Sequence, residues 1–244
     1  MLYKIIRAPN FLDMLKHNYL YFRRVDTYRD DILDGEQLPL DRTGNEGAKF
    51  AKDKTFSVAK YYDTSRTRTY ACCFSLNNSD YIWHEYGNSG KDAICLVIEF
   101  GKLRTILNRT IGQSALMCGN NVCHQIFSVN YGIVEYADKE ALQLNAARLP
   151  NPIQYTYVKD KKYQDENELR VSLSAIGIGN FALNDAQIIK FPESLQMQFD
   201  FKKAFAEGII KELLFANGCQ QGFQDAMSQE MEKLGFLCKP PVLA

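Results

Sequence analysis

Over residues 166–174 the chain alternates: Glu166, Glu168 and Arg170 take every second position, and Leu169, Val171 and Leu173 fill the places between. Successive side chains of a strand point to opposite faces, so this period predicts a strand with two carboxylates and a guanidinium on one face. The apolar row then lies against a core. No other segment constrains the fold as much, because it demands a sheet with one covered face and one charged face. Carboxylates two residues apart along a strand stand about 7 Å apart at their roots, near enough to couple in their ionisation. Arg170 favours the charged form of its neighbour, and burial opposes it. The face reads either as a solvated charge ladder or as a pair of acids with divided duties, one steadying positive charge and the other orienting a nucleophile.

The remaining pattern supplies strands and helices in mixed order, without a repeat. Bulky and β-branched residues predict strands at 2–6, 19–22, 69–75, 93–100 and, more weakly, 129–136. Helical spacing predicts helices from Pro9 to about Asn18, from Asp80 through Tyr86 with Asn78 or Ser79 as cap, and at 103–107, 137–147 and 224–234. Residues 209–215 suit either state. From 25 to 60 the periodicity dissolves into alternating Asp, Arg and Gly, which reads as a lid or functional loop with short helices near 46–61. The expected fold is one α+β domain over residues 1–244, with mixed, mostly antiparallel sheets, flanking helices and a mobile or lid region at 25–60.

Charge narrows the partners. Lys plus Arg is 29 and Asp plus Glu is 29, a balance that argues against a nucleic-acid partner gripped by bulk charge. Seven cysteines is an odd number, and Cys72 and Cys73 are adjacent, a spacing that disulfide geometry does not accommodate. With no apolar leader before Pro9 and Asp13, the reading is a reduced, cytoplasmic chain. The longest apolar stretch, 93–98, is far too short to span a bilayer, so no membrane partner is expected.

Several smaller signals stand beside the acidic pair. Ser75 ends a buried strand, where binding side chains often sit, although taken alone such a serine is more often a turn former. Trp83 and Tyr86 lie three apart on one helix face and could stack on a ring or simply pack in the core. His84 has no companion histidine, and Cys118, Cys123 and His124 lack a second ligand pair, so no metal site is expected. The glycines at 177 and 179 match a loose dinucleotide fingerprint, but the residues after them read as turn and strand instead of the required helix. The acidic run from Asp26 to Asp41 is interleaved with arginines, as in a salt-bridged loop.

Three ordered segments resemble a bacterial and phage family labelled a domain of unknown function (twenty-nine seventy-one), over roughly residues 2–175. They are Leu2-Tyr3-Lys4 with 11–15 and 20–28; Cys73-Phe74-Ser75 with 81–86 and 98–100; and Lys162-Tyr163 with 166–170. At 29–36 the chain departs from the Asp-Pro and Phe-Glu-Gly pattern usual in that family. More remotely, the layout resembles the ADP-ribosyltransferase fold. That resemblance implies NAD as substrate, Glu168 as the catalytic glutamate, Glu166 as its partner toward the acceptor and Ser75 as the central-strand serine. It also implies Lys4 in place of the usual Arg or His, Trp83 or Tyr86 on a ring, and Arg23 or Arg24 at the pyrophosphate. The acceptor would be protein, nucleic acid or water, and the setting suggests a toxin or phage-defence effector. Two other readings stand beside it. One is a non-catalytic ligand-sensing or protein-interaction module, and the other a metal-dependent nuclease built from Asp26, Asp31, Glu36, Glu166 and Glu168.

Overall fold

In the computed structural model, residues 1–113, 116–145, 150–175, 181–182, 188–236 and 242–243 are described. Strand β1 (Leu2–Arg7) leads into α1 (Ala8–His17), whose first turn holds Pro9, where a missing N–H costs nothing. Asn18 ends α1 in the left-handed region at φ 55° and returns its N–H to the Met14 carbonyl. After β2 (Tyr19–Arg24), the 25–60 stretch holds α2 (Pro39–Gly47), the short hairpin β3 (Lys49–Phe50) and β4 (Asp53–Ser57), and the start of α3 (Val58–Arg66). Short helices do form in this stretch, but between Lys49 and Ser57 the hairpin stands where helix was expected. Ser57 caps α3 by accepting from the Lys60 N–H.

Strand β5 (Thr69–Ser75), α4 (Asp80–Tyr86) and β6 (Ala93–Ile98) stand where their patterns put them. β6 stops short of residue 100 because Glu99 caps α5 (Phe100–Ile111), accepting from the Gly101 and Lys102 N–H groups at 2.9 and 2.8 Å. Next come β7 (Leu116–Cys118), β8 (Asn121–Val122), β9 (Phe127–Ile133), β10 (Glu135–Ala137), β11 (Val158–Asp160) and β12 (Glu168–Ala175). The chain continues through β13 (Phe181–Ala182), β14 (Ile188–Ile189), β15 (Ser194–Gln198), α6 (Phe201–Ala206), β16 (Ile210–Phe215), α7 (Gln221–Lys233) and β17 (Val242–Leu243). The glycine pair at 177 and 179 lies outside the described residues.

Two expectations in the middle of the chain are corrected. The strand at 129–136 is broken at Val134: its N–H still reaches the Glu168 carbonyl opposite it at 2.9 Å, but the Glu168 N–H goes to the Tyr136 hydroxyl at 2.8 Å instead of back to Val134. No helix forms in the described part of 137–147. Asp138 takes the Glu140 N–H onto its own carboxylate, and the Leu144 and Asn145 N–H groups go to the Asp41 carboxylate, each at 3.0 Å. Backbone donors captured by side chains are lost to a helix.

The main sheet is ordered β17-β16-β6-β1-β5-β2-β15-β7-β8, with β12 on the other edge of β5 and β9 beyond it. All its pairings are antiparallel except β16 with β17. The geometry turns on β5. β12 pairs with one of its edges along its whole length, from Ser75 opposite Glu168 to Thr69 opposite Ser174. The other edge is shared: β2 holds the 70–71 end, and β1 touches only at Tyr3 opposite Ser75. The sheet therefore splits beside β5 and opens a cleft at the Ser75 end.

Leu169, Val171 and Leu173 of β12 join the large core with Phe11, Phe22 and Leu96. The opposite face of β12 is polar, carrying Glu168, Arg170, Ser172 and Ser174, and it too is buried. A second cluster, built on Leu38, Val58, Tyr62, Tyr155 and Val158, joins the 38–62 stretch to the 155–158 segment. No helix among the described residues is long and apolar enough to cross a membrane. Leu173 is fully buried and Leu40 is 49% exposed. Leu173→Ala should therefore cost about 2–5 kcal/mol in urea unfolding, whereas Leu40→Ala should fall within about 0.5 kcal/mol of the parent.

Candidate functional site

The cleft at the split has a volume of about 140 Å³, room for a ring or a sugar but not for a whole dinucleotide. β1 contributes Tyr3 and Lys4, β5 contributes Cys73 and Ser75, α4 contributes Tyr86, and the approach to β12 contributes Glu166 and Glu168. Of the residues singled out in the sequence, Lys4, Ser75, Tyr86, Glu166 and Glu168 are brought together. Trp83 is not: it is buried against Cys95, Val97 and Leu214, with its indole N–H on Asn78 Oδ1 at 2.8 Å. Arg23 and Arg24 also lie elsewhere. Arg23 donates to Thr27, and Arg24 pairs with Asp26 at 2.6 Å and caps the Phe191 and Pro192 carbonyls. Their guanidinium groups are used up in holding a turn.

The two glutamates do not converge by strand alternation. Glu166 ends a 3-10 turn (Lys161–Glu166), and Asn167 takes the left-handed conformation at φ 43°, ψ 58° before β12 starts at Glu168. A single left-handed residue, which asparagine tolerates better than most, turns the chain so that both carboxylates meet the same lysine. Lys159 of β11 donates to Glu166 Oε2 at 2.5 Å and to Glu168 Oε2 at 3.5 Å. Tyr86 donates its hydroxyl to Glu166 Oε1 at 2.6 Å. Ser75 donates to the Glu166 carbonyl at 2.8 Å and accepts from the Asn77 N–H, so it pins the turn that carries Glu166.

Behind the pair, Arg170 is wholly buried and forks two carboxylates at once. It reaches Glu168 Oε1 through Nε at 2.7 Å and Oε2 through Nη2 at 3.1 Å. It also meets both oxygens of Asp34 at 2.8 and 2.9 Å, and the Thr156 carbonyl at 2.7 Å. Asp34, at 0% exposure, comes from the loop before α2 and ties that module to β12. Lys4 of β1 donates to the Cys73 carbonyl at 3.0 Å and lies over the Phe74 ring. Tyr136 fixes the start of β12 by accepting the Glu168 N–H at 2.8 Å.

This arrangement pushes the two carboxyls apart. Burial raises Glu168, but the guanidinium of Arg170, the ammonium of Lys159 and the Cys73 thiol overcome it and hold the group at about 2. Burial raises Glu166 above the ordinary carboxylate value, against the pull of Lys159 and the Tyr86 hydroxyl. Cys73, buried beside the Glu168 charge, is raised and stays a thiol. Lys159 is pushed down by burial and, more strongly, up by Glu168 and Glu166, so it stays an ammonium. One acid is thus a standing anion and the other a group that can take up and release a proton.

Comparison with family models, curated proteins and solved structures finds no match for this chain. The residues that sequence reasoning missed are Lys159, Asp34 and Cys73. Cys73 was within reach, being two positions before Ser75 on the same strand face. Lys159 stood in a charged run, 159–162, that reads as surface. Asp34 was one acid among many.

Replacing Arg170 by Met would leave Asp34 buried without its guanidinium and Glu168 with only the Lys159 ammonium at 3.5 Å, so Arg170→Met should cost about 3–5 kcal/mol in denaturant unfolding. Because Glu168 is depressed from 4.5 to about 2, its stabilising contribution is complete above about pH 5 and is lost as the pH falls toward 2. Glu168→Gln should flatten that acid limb of the stability curve.

Proposed function

We propose that this cleft cleaves the N-glycosidic bond of NAD and passes ADP-ribose to an acceptor, as an ADP-ribosyltransferase-like enzyme. One observation carries the reading. Lys4, Ser75, Tyr86, Glu166 and Glu168, drawn from widely separated segments, converge on one small cleft at a split in the sheet. The resemblance in sequence names the same residues and gives Glu168 and Glu166 the same roles.

Loss of nicotinamide leaves positive charge on the ribose C1′ and ring oxygen. Glu168, anionic at every physiological pH, stabilises that charge and accepts a hydrogen bond from the ribose 2′-hydroxyl. The half-exposed Tyr86 ring stands beside the opening, where a ribose or nicotinamide ring enters. Lys4 faces the substrate from β1 and brings an ammonium to the phosphates. Ser75 acts through Glu166, as a positioning residue. Glu166, with its raised carboxyl, accepts the acceptor's proton as the new bond forms.

The nuclease reading loses its ligands. Asp26 is paired with Arg24 and Glu36 with Arg66, and no group of three acids, cysteines or histidines among the described residues could hold a metal ion. The ligand-sensing reading keeps one point in its favour: every oxygen of both glutamates already accepts a hydrogen bond from the protein. Turnover separates the two. Purified protein should release nicotinamide from NAD, read by chromatography. Glu168→Gln, which keeps an oxygen for Arg170 and should fold by circular dichroism, should lower kcat by about a hundredfold or more. NAD binding that survives without any turnover in the parent protein would favour the sensor. On the acid side, kcat/KM should fall as Glu166 takes a proton, at a pH above the usual carboxylate range, and Glu166→Gln should remove that limb.

A further inference from the structure

The same cleft bears on the identity of the acceptor, a question that arises only on the NAD-cleaving reading and rests on it. A pair of bare carboxylates invites a cation, and a guanidinium docks on a carboxylate best as a fork that uses both oxygens. Here both forks are already filled from within the chain. Arg170 holds Glu168 through Nε and Nη2, on both oxygens. Glu166 receives Lys159 on Oε2 and Tyr86 on Oε1. Every carboxylate oxygen near the cleft keeps at most a single lone pair for a visitor.

The charges agree with the geometry. Asp34, Glu166 and Glu168 face Lys159 and Arg170 in one buried network, and Lys4 stands at the cleft wall. The two built-in cations leave one surplus negative charge, which Lys4 balances, and the charge of Asp31 nearby is offset by Lys139. The other titratable groups facing Glu166 are neutral hydroxyls, Tyr81 and Tyr86 from α4 and Tyr136 from β10. Facing Lys159 are Asp31 and Asp34 from the loop before α2, Arg170 from β12, and the Tyr163 ring of its own turn. An incoming cation would meet positive charge at short range and no vacant fork. A neutral O–H needs only one lone pair of Glu166.

We infer that the acceptor is a neutral hydroxyl, from water or from a sugar or alcohol side chain, and that Lys159 and Arg170 are specificity-determining residues that shut out a guanidinium. In the step, the C1′–N bond of NAD breaks and nicotinamide leaves with the bonding pair, which neutralises its ring. The acceptor oxygen forms the C1′–O bond, and its proton passes to Glu166.

Two measurements test this. In the first, the parent protein turns over NAD in plain buffer, with methanol or glycerol as hydroxyl probes, and with arginine methyl ester, and the products are identified by mass spectrometry. ADP-ribose alone marks water as acceptor, an O-glycoside marks an added alcohol, and either supports the inference. An arginine adduct as main product overturns it. The second needs no turnover, so it still decides the exclusion of guanidinium if the parent leaves NAD intact and the functional reading falls. Arginine methyl ester is titrated into 13C-glutamate-labelled protein, and the Glu166 and Glu168 carboxyl signals are followed. The parent should show weak or no binding, whereas Lys159→Met, or Lys159→Gln should the first variant not fold, should bind about tenfold more tightly or better. Equal affinity in parent and variant would overturn the assignment.

Discussion

A guanidinium with no exposure to water holds this molecule together where it matters. Arg170 is forked to Asp34 on one side and to Glu168 on the other, and its remaining reach goes to the Thr156 carbonyl. A buried charge of this kind is tolerated only when every donor is satisfied. Three separate pieces of chain, the loop before α2, the 154–157 turn and β12, must therefore be in place together. The same contacts that dock the 38–66 module also keep Glu168 ionised. Structure and electrostatics here are one arrangement.

The second constraint is the shared edge of β5. Had β1 paired along the whole strand, the backbone of Cys73 would be covered and no cleft would exist. Because β1 meets β5 at a single position and then follows β6, Lys4 can turn its ammonium onto the Cys73 carbonyl. The opening is thus a result of strand pairing, and the side chains that face it come from β1, β5, α4 and the turn before β12. Such places carry function because they are held by a scaffold yet not consumed by it.

Much of this was legible in the residues, and the parts that were not share a cause. Strands 69–75 and 93–98 and the helix at 80–86 carry their own punctuation, with Asn-Asn-Ser before the helix and Gly87 after it. Local physics was enough there. The 25–66 module gave no periodic signal because distant partners hold it: Asn45 to Tyr155, Asp41 to the 144–145 backbone, Asp34 to Arg170. The acidic pair was legible as a pair, but for the wrong reason. Alternation placed Glu166 on the strand, whereas a left-handed Asn167 ends a turn there, and Lys159 makes the meeting. Arg23, Arg24 and Trp83 had the right chemistry but were already engaged, by Thr27, Asp26 and Asn78.

The wide spacing of the cleft's residues along the chain has a consequence during synthesis. β1, β5 and α4 are all synthesised before Glu168 and its guanidinium partner, which follow Ser75 by more than ninety residues. Until then Asp34 has no counter-ion, the edge of β5 that takes β12 is bare, and Lys4 faces a half-built wall. On a nascent chain the cleft therefore stays incomplete until β12 pairs with β5.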